Sequence, residues 1–234
     1  MTPTGAPVGQ LIVCATPIGN LEDVTLRVLR ALGEADVIAC EDTRRTRVLL
    51  DRHGIAGARL TSLHEHNERA RAKELVQRVR AGETVALVSD AGTPLISDPG
   101  YVLVRECIGE GLPMQVLPGA SAAPTALVAS GLPVDRWCFV GFLPRKRGQR
   151  ERLLADAAET LVAFESPRRL PATLEMLARL DPQRPVAVCR ELTKLHEEVS
   201  RGGAAELAER YRERPVKGEV VLVLGAAGAA SSLG

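Results

Sequence analysis

Residues 84–100, TVALVSDAGTPLISDPG, constrain this chain more than any other stretch. Thr84 to Val88 is a short apolar run rich in β-branched side chains. It is too short for an amphipathic helix and reads as a strand buried on both faces. It stops at Ser89-Asp90-Ala91-Gly92-Thr93-Pro94, small residues with one carboxylate and a proline that removes a donor. A second turn, Ser97-Asp98-Pro99-Gly100, follows at once, with Asp98 placed to cap a helix and Pro99 at its first position. A plain strand-to-helix connector needs small residues too, but two consecutive Asp-containing turns exceed what a connector requires. In open α/β sheets ligands bind beyond the carboxyl ends of the strands, where such a loop lets them reach the backbone.

The rest of the chain repeats this pattern. Short apolar runs at residues 10–15, 35–40, 60–63 and 114–117 end in Thr16-Pro17-Ile18-Gly19-Asn20, Glu41-Asp42-Thr43-Arg44, His64-Glu65-His66-Asn67-Glu68 and Pro118-Gly119-Ala120-Ser121-Ala122. Helical periodicity lies between them, with Asp23 or Asn20 as the cap expected for the first helix and helices near 45–53 and 69–81. Alternation of this kind predicts a layered α/β fold with a mostly parallel sheet whose strand-end turns share one edge. Beyond residue 122 the rhythm changes. Strands are expected at 137–142, 160–165, 185–190 and 217–224, and helices at 122–130, after the basic loop 144–150, at 167–180 and at 203–214. A domain boundary is placed near Pro118 to Ser121, giving domains 1–118 and 119–225. A disordered lead is expected over 1–9 and a loose Ala/Gly/Ser tail over 225–234.

Composition narrows the function classes. With 234 residues the chain holds one large or two small domains, and a formal charge of +1 excludes a globally basic nucleic-acid binder while allowing a local basic patch. No apolar run reaches spanning length and the N-terminus lacks a signal-peptide pattern, so a cytoplasmic protein is expected. Five cysteines at irregular spacing read as buried free thiols rather than zinc ligands or disulfides. Aromatics make up 3% of the chain, so the core must be aliphatic, and recognition of a nucleic acid is expected through shape and phosphate position rather than base stacking.

Taken in order, TPIGNLEDVTLR, EDTRRTR, SDAGTPLISDPG, PGASA, GFLPRKRG, ESPRR, RELTKLHEE and KGE resemble the 16S ribosomal RNA cytidine 2′-O-methyltransferases of the tetrapyrrole methylase superfamily. The resemblance runs over about residues 10–224. It implies two α/β/α layered domains, mostly parallel in the first sheet and mixed in the second, with S-adenosylmethionine in the cleft between them and a homodimer. It implies methyl transfer to the ribose 2′-hydroxyl of a decoding-centre cytidine in 16S RNA or the small subunit. Carried over by motif, cofactor contacts fall on Pro17, Asp90, Thr93, Ser121, Ala122, Phe164, Glu165, Leu192 and Gly218. Two features depart from the family pattern: Ala120 stands where PGPSA is usual, and the sequence ends in GAAGAASSLG where relatives usually continue several dozen residues. If that extension holds RNA, grip on the substrate is expected to come from elsewhere.

A ribose hydroxyl is a poor acid, so a general base or a cation that favours the alkoxide is expected beside the methyl donor. Lys194 is the first choice, as base or as cation, and Glu41 the second, as a carboxylate whose pKa burial can raise. A surface ion pair to Glu191 or Glu197 is the plainer reading of Lys194. Arg44, His64, Arg145, Lys146, Arg147 and Arg168 are the candidate substrate contacts, within basic clusters that also include Arg45, Arg150, Arg152 and Arg169. Such clusters are usually solvated faces, but here they follow strand ends, where they suit phosphates. His64 and His66 lack a third ligand, and no metal is expected. The alternatives are a tetrapyrrole or diphthamide-precursor methylase, and a non-catalytic module that binds RNA or a nucleotide.

Overall fold

A computed structural model describes residues 9–228. Residues 1–8 of the expected lead and 229–234 of the expected tail lie outside the described residues. The chain divides into two compact units, 1–121 and 122–234.

The first unit alternates strand and helix: β1 (Gln10–Cys14), α1 (Leu26–Glu34), β2 (Val37–Cys40), α2 (Thr43–Arg52), β3 (Leu60–Ser62), α3 (Glu68–Arg80), β4 (Thr84–Leu87), α4 (Tyr101–Gly109) and β5 (Met114–Leu117). The strands form one parallel sheet in the order β3-β2-β4-β1-β5. Both faces are covered, which is why the strands read as unbroken apolar runs. Leu11, Val13, Val37, Ala39, Val85 and Leu87 pack beneath α3 and α4, against Leu75, Val76, Val79 and Leu103. Ile12, Cys14, Ile38, Cys40, Ala86 and Val88 pack on the other face against Val28, Leu32, Leu49 and Leu50 of α1 and α2.

Two expected caps are replaced. Helix α1 is capped by Thr25, whose hydroxyl accepts from the Val28 amide at 3.2 Å, and not by Asp23 or Asn20. Helix α4 begins after Gly100 at φ +124°, and its first amides are satisfied from a distance. One carboxylate oxygen of Glu68, at the start of α3, accepts from Gly100 at 2.8 Å and from Val102 at 3.0 Å. Asp98 and Pro99 therefore precede the cap rather than forming it. Gly9, expected in the lead, is buried, and its amide donates to the Val79 carbonyl.

The second unit contains α5 (Ala122–Ser130), β6 (Trp137–Phe142), α6 (Arg147–Ala155), β7 (Thr160–Glu165), α7 (Leu170–Leu180), β8 (Pro185–Arg190), β9 (Glu198–Gly203), α8 (Ala204–Tyr211) and β10 (Val220–Leu224). Its sheet is mixed, ordered β6-β7-β10-β8-β9, with β6 parallel to β7 and the other pairs antiparallel. Strand β9 is not expected from sequence. It is an edge strand that mixes charges with two glycines, paired with β8 over six positions and anchored at one end by Glu198, which takes charged hydrogen bonds from Arg190 and Arg214. The stretch 225–228, expected to be loose, is tied down. Gly225 and Ala227 donate to the Pro185 and Ala157 carbonyls, Gly228 to the Asp181 carboxylate, and buried Arg184 donates to the Gly225 carbonyl at 2.8 Å.

Candidate functional site

In the first unit the turn after β4 is bonded to the turns of all four other strands. Thr16 and Gly92 exchange backbone hydrogen bonds at 2.8 and 3.0 Å, and the Thr16 hydroxyl donates to the Ser89 carbonyl at 3.1 Å. The Thr93 hydroxyl donates to the Ala120 carbonyl at 3.3 Å. Asp90 accepts from the Asp42 amide at 2.9 Å, and Glu68 holds the SDPG turn as described. The turns carrying Pro17, Asp90, Thr93 and Ser121 are thus one braced platform. Gly92 sits at φ +80°, and a Cβ there would stand 3.3 Å from Ile18, so the backbone of this turn is held close to its neighbours. Leu95 and Ser97 also take positive φ, at 72° and 71°, a conformation that persists only where surroundings enforce it. Small side chains at Ala91, Gly92, Ala120 and Ser121 leave room for a ligand to approach this turn closely.

An acidic cluster stands beside this platform. Burial, then the neighbouring charge of Asp90, raises the Glu41 pKa above the ordinary glutamate value, with Glu65 acting in the same sense and Arg45 and His64 against it. The Glu41 carboxylate forms no hydrogen bond or ion pair among the described residues. Its neighbour Asp42 is the opposite case. Hydrogen bonds from the Arg44 side chain and amide hold its carboxyl down at about 2, and that pairing occupies Arg44, expected to touch substrate. The Asp90 carboxylate, expected on the cofactor, is directed to the Asp42 amide and to Arg45 at 3.5 Å. His64 is half-buried, its amide donates to Asn67, and its Nδ1 is buried without a partner. No group of three His, Cys, Asp or Glu side chains suited to a metal ion occurs among the described residues.

In the second unit register brings the predicted residues to one edge of the sheet, since Val220 pairs with both Glu165 and Arg190. Gly218, Glu219, Glu191 and Leu192 therefore sit beside the end of β7. Glu191 lies at φ +50° and Thr193 at φ +65°. The Glu191 carboxylate packs where a Cβ on Gly218 would fall, so only glycine fits at 218. Lys194 donates to Glu191 at 2.9 Å and to Glu219 at 3.0 Å. Partial burial opposes its charge, but these two hydrogen bonds outweigh burial and raise its pKa. Of the two roles expected for Lys194, base or cation, these contacts favour the cation. The Glu165 carboxylate is fully enclosed, with Ser166, Thr173 and Arg169 as partners at 2.7, 2.7 and 2.5 Å, which leaves its backbone alone for a ligand.

The basic clusters separate into two kinds. Arg145, Lys146, Arg147, Arg152 and Arg168 are exposed and form no ion pair among the described residues. Arg150 and Arg169 are structural: they donate to the Pro144 carbonyl at 3.4 Å and the Leu143 carbonyl at 3.1 Å. Although aromatics make up only 3% of the chain, Phe142 is 61% and Tyr101 59% exposed. Four cysteines are buried free thiols, with Cys14 and Cys189 pushed up to about 12 by burial, but Cys138, expected in the core, is exposed on edge strand β6.

Residues 10–208 match the pattern of the tetrapyrrole (corrin/porphyrin) methylases. The ribosomal RNA small subunit methyltransferase I of Halalkalibacterium halodurans is 50% identical over 92% of this chain and 75% of its own length. The protein of the same name from Hydrogenobaculum is 45% identical over 92% of this chain and 95% of its own length. That from Escherichia coli O157:H7 is 49% identical over 92% and 77%. Among solved structures, uroporphyrin-III-C-methyltransferase from Thermus thermophilus superposes with a TM-score of 0.67 at 24% identity, covering 93% of this chain and 94% of its own. A diphthine synthase superposes with a TM-score of 0.70 at 16% identity, covering 93% and 90%. At these identities the two structures speak to the fold.

Proposed function

The chain belongs to the tetrapyrrole methylase family, among its small-subunit ribosomal RNA methyltransferase I members, and from that premise we propose that it methylates a cytidine ribose 2′-hydroxyl in 16S RNA. The observation that carries this reading is close to half identity over nine-tenths of the chain to several relatives of that one name. The alternative of a tetrapyrrole or diphthamide-precursor methylase has only likeness of fold behind it.

S-adenosylmethionine supplies the methyl group, on a sulfonium that leaves as a neutral thioether. The residues present suit it. A braced platform of small residues offers backbone groups to the adenosine and methionine portions, and the acidic cluster favours a cation nearby. Pro17, Thr93 and Ser121 in the first unit, and Ala122, Phe164, Leu192, Gly218 and the backbone of Glu165 in the second, are the proposed contacts. Transfer is an in-line displacement. The Glu41 carboxylate would take the 2′-hydroxyl proton as the ribose oxygen accepts the methyl group that bound S-adenosylmethionine would supply. Glu41 suits this role because it is partly buried, without a bonded partner, and its pKa is raised above the ordinary glutamate value by burial and by Asp90. Lys194, fixed as a cation, is suited to stabilising negative charge on oxygen. Arg145, Lys146, Arg147 and Arg168 would hold phosphates of the folded RNA, with His64 at the rim. A ribosomal RNA substrate supports a cytoplasmic location, and the resemblance supports a homodimer.

The test is single-turnover methyl transfer to unmethylated small subunits at saturating S-adenosylmethionine. Glu41→Gln is expected to lower the rate by about 10²–10⁴, the usual loss of a general base. A near-native rate in a folded Glu41→Gln enzyme assigns the proton to another group.

A further inference from the structure

The chain has three phenylalanines, and all three meet at one place in the second unit. Phe164 makes edge-to-face contacts with Phe139 at 5.0 Å and with Phe142 at 5.4 Å between ring centroids. In a regular strand Phe139 and Phe142, three residues apart, would point to opposite faces. They share a face because β6 carries one extra residue: Phe139 pairs with Val162 and Phe142 with Phe164, with Gly141 at φ +64° in the bulge between. Bulges of this kind re-aim a side chain and recur next to functional sites. The result leaves the Phe142 ring braced on one side and 61% exposed.

The backbone that carries this ring is held firmly. The Leu143 amide donates to the Phe164 carbonyl at 3.0 Å, and the partly buried Arg169 and the buried Arg150 donate to the Leu143 and Pro144 carbonyls. Directly beyond lie the exposed cations Arg145, Lys146 and Arg147, with Arg168 four residues past Phe164. An immobilised, open aromatic face followed by unpaired cations is the arrangement that binds single-stranded nucleic acid, one stacking on a base while the others hold phosphates.

We propose that Phe142 is the stacking platform for an unpaired base of the RNA substrate, with Arg145, Lys146 and Arg147 on the adjoining phosphates. The inference rests on the ribosomal RNA reading and adds to it a base contact that composition argued against. Commitment to RNA, over a second copy of the chain, follows from the charge beside the ring, which suits phosphate and not another basic loop of the same sequence.

The experiment compares wild type with Phe142→Ala and Phe142→Trp, each confirmed folded by its thermal transition. Affinity for a short fluorescein-labelled cytidine-rich single strand, methyl transfer to unmethylated small subunits, S-adenosylmethionine affinity and sedimentation are measured. Phe142→Ala is expected to weaken the strand about 5- to 150-fold and to raise KM for subunits, as loss of one base stack does. Its salt dependence and S-adenosylmethionine affinity should be unchanged, and Phe142→Trp should restore binding. Unchanged RNA affinity overturns the proposal. So does a fall in S-adenosylmethionine affinity, which makes Phe142 a support for the cofactor contact Phe164 rather than an RNA platform, or a change in sedimentation, which assigns it to contact between copies. If wild type neither binds RNA nor methylates subunits, the ribosomal RNA reading fails and the inference with it.

Discussion

Two neighbouring carboxylates, Glu41 and Asp42, show how position sets chemistry. Asp42 caps α2 and is gripped by Arg44, so it stays ionised and inert. Glu41, one residue earlier, has no such partner and lies against the Asp90 charge. Asp90→Asn should therefore alter the pH dependence of methyl transfer in a defined direction. Asparagine can still accept from the Asp42 amide, so the turn is kept. The negative charge that raises Glu41 is removed, and Arg45 is released to lower it further. A base with a lower pKa remains ionised to lower pH, so the acid limb of the kcat profile should move down. An unmoved limb means that Glu41 and Asp90 are not coupled in the working enzyme. The pair is hard to read from sequence. Glu41 and Asp90 are 49 positions apart in the chain, and only the parallel pairing of β2 with β4 sets EDTR beside SDAGTP.

At the scale of elements, the alternation of apolar runs and amphipathic stretches is enough to place the strands of the first sheet, because strands buried on both faces are continuous apolar blocks. Capping is less legible. Thr25, Asn20 and Asp23 are equivalent as local signals, and the winner is decided by where the chain leaves β1. The cap of α4 comes from Glu68 on another helix, which no local pattern encodes. Glu68→Ala should destabilise the first unit by about 1–2 kcal/mol, the usual cost of removing a cap, as read by urea unfolding. Glu68→Gln, which keeps an acceptor, should recover most of that stability. If both variants unfold like wild type, the long-range cap contributes nothing. Strand β9 and the bulge in β6 are hidden in the sequence for related reasons. An edge strand lacks a two-sided apolar block, and Gly141 within a strand pattern marks a bulge only once its partner register is known.

Across the whole molecule, which is near neutral, one run of three consecutive exposed cations, Arg145, Lys146 and Arg147, follows the end of β6. Charge counting does not reveal which arginines are available, since Arg150 and Arg169 are spent on carbonyls while Arg145, Lys146, Arg147 and Arg168 face solvent. Neutralising Arg145, Lys146 and Arg147 together should leave S-adenosylmethionine affinity intact and weaken binding to small subunits. The slope of log affinity against log salt should fall by about 0.7–0.9 for each phosphate that the loop no longer neutralises. An unchanged slope would make the loop a solvated surface. The central claim, methylation of a cytidine ribose in 16S RNA, is tested most directly by product analysis. Unmethylated small subunits are incubated with the protein and tritiated S-adenosylmethionine, and the RNA is digested to nucleosides. The account predicts label in 2′-O-methylcytidine from 16S RNA, dependent on Glu41. Label in any other nucleoside, or no label in RNA, would contradict it.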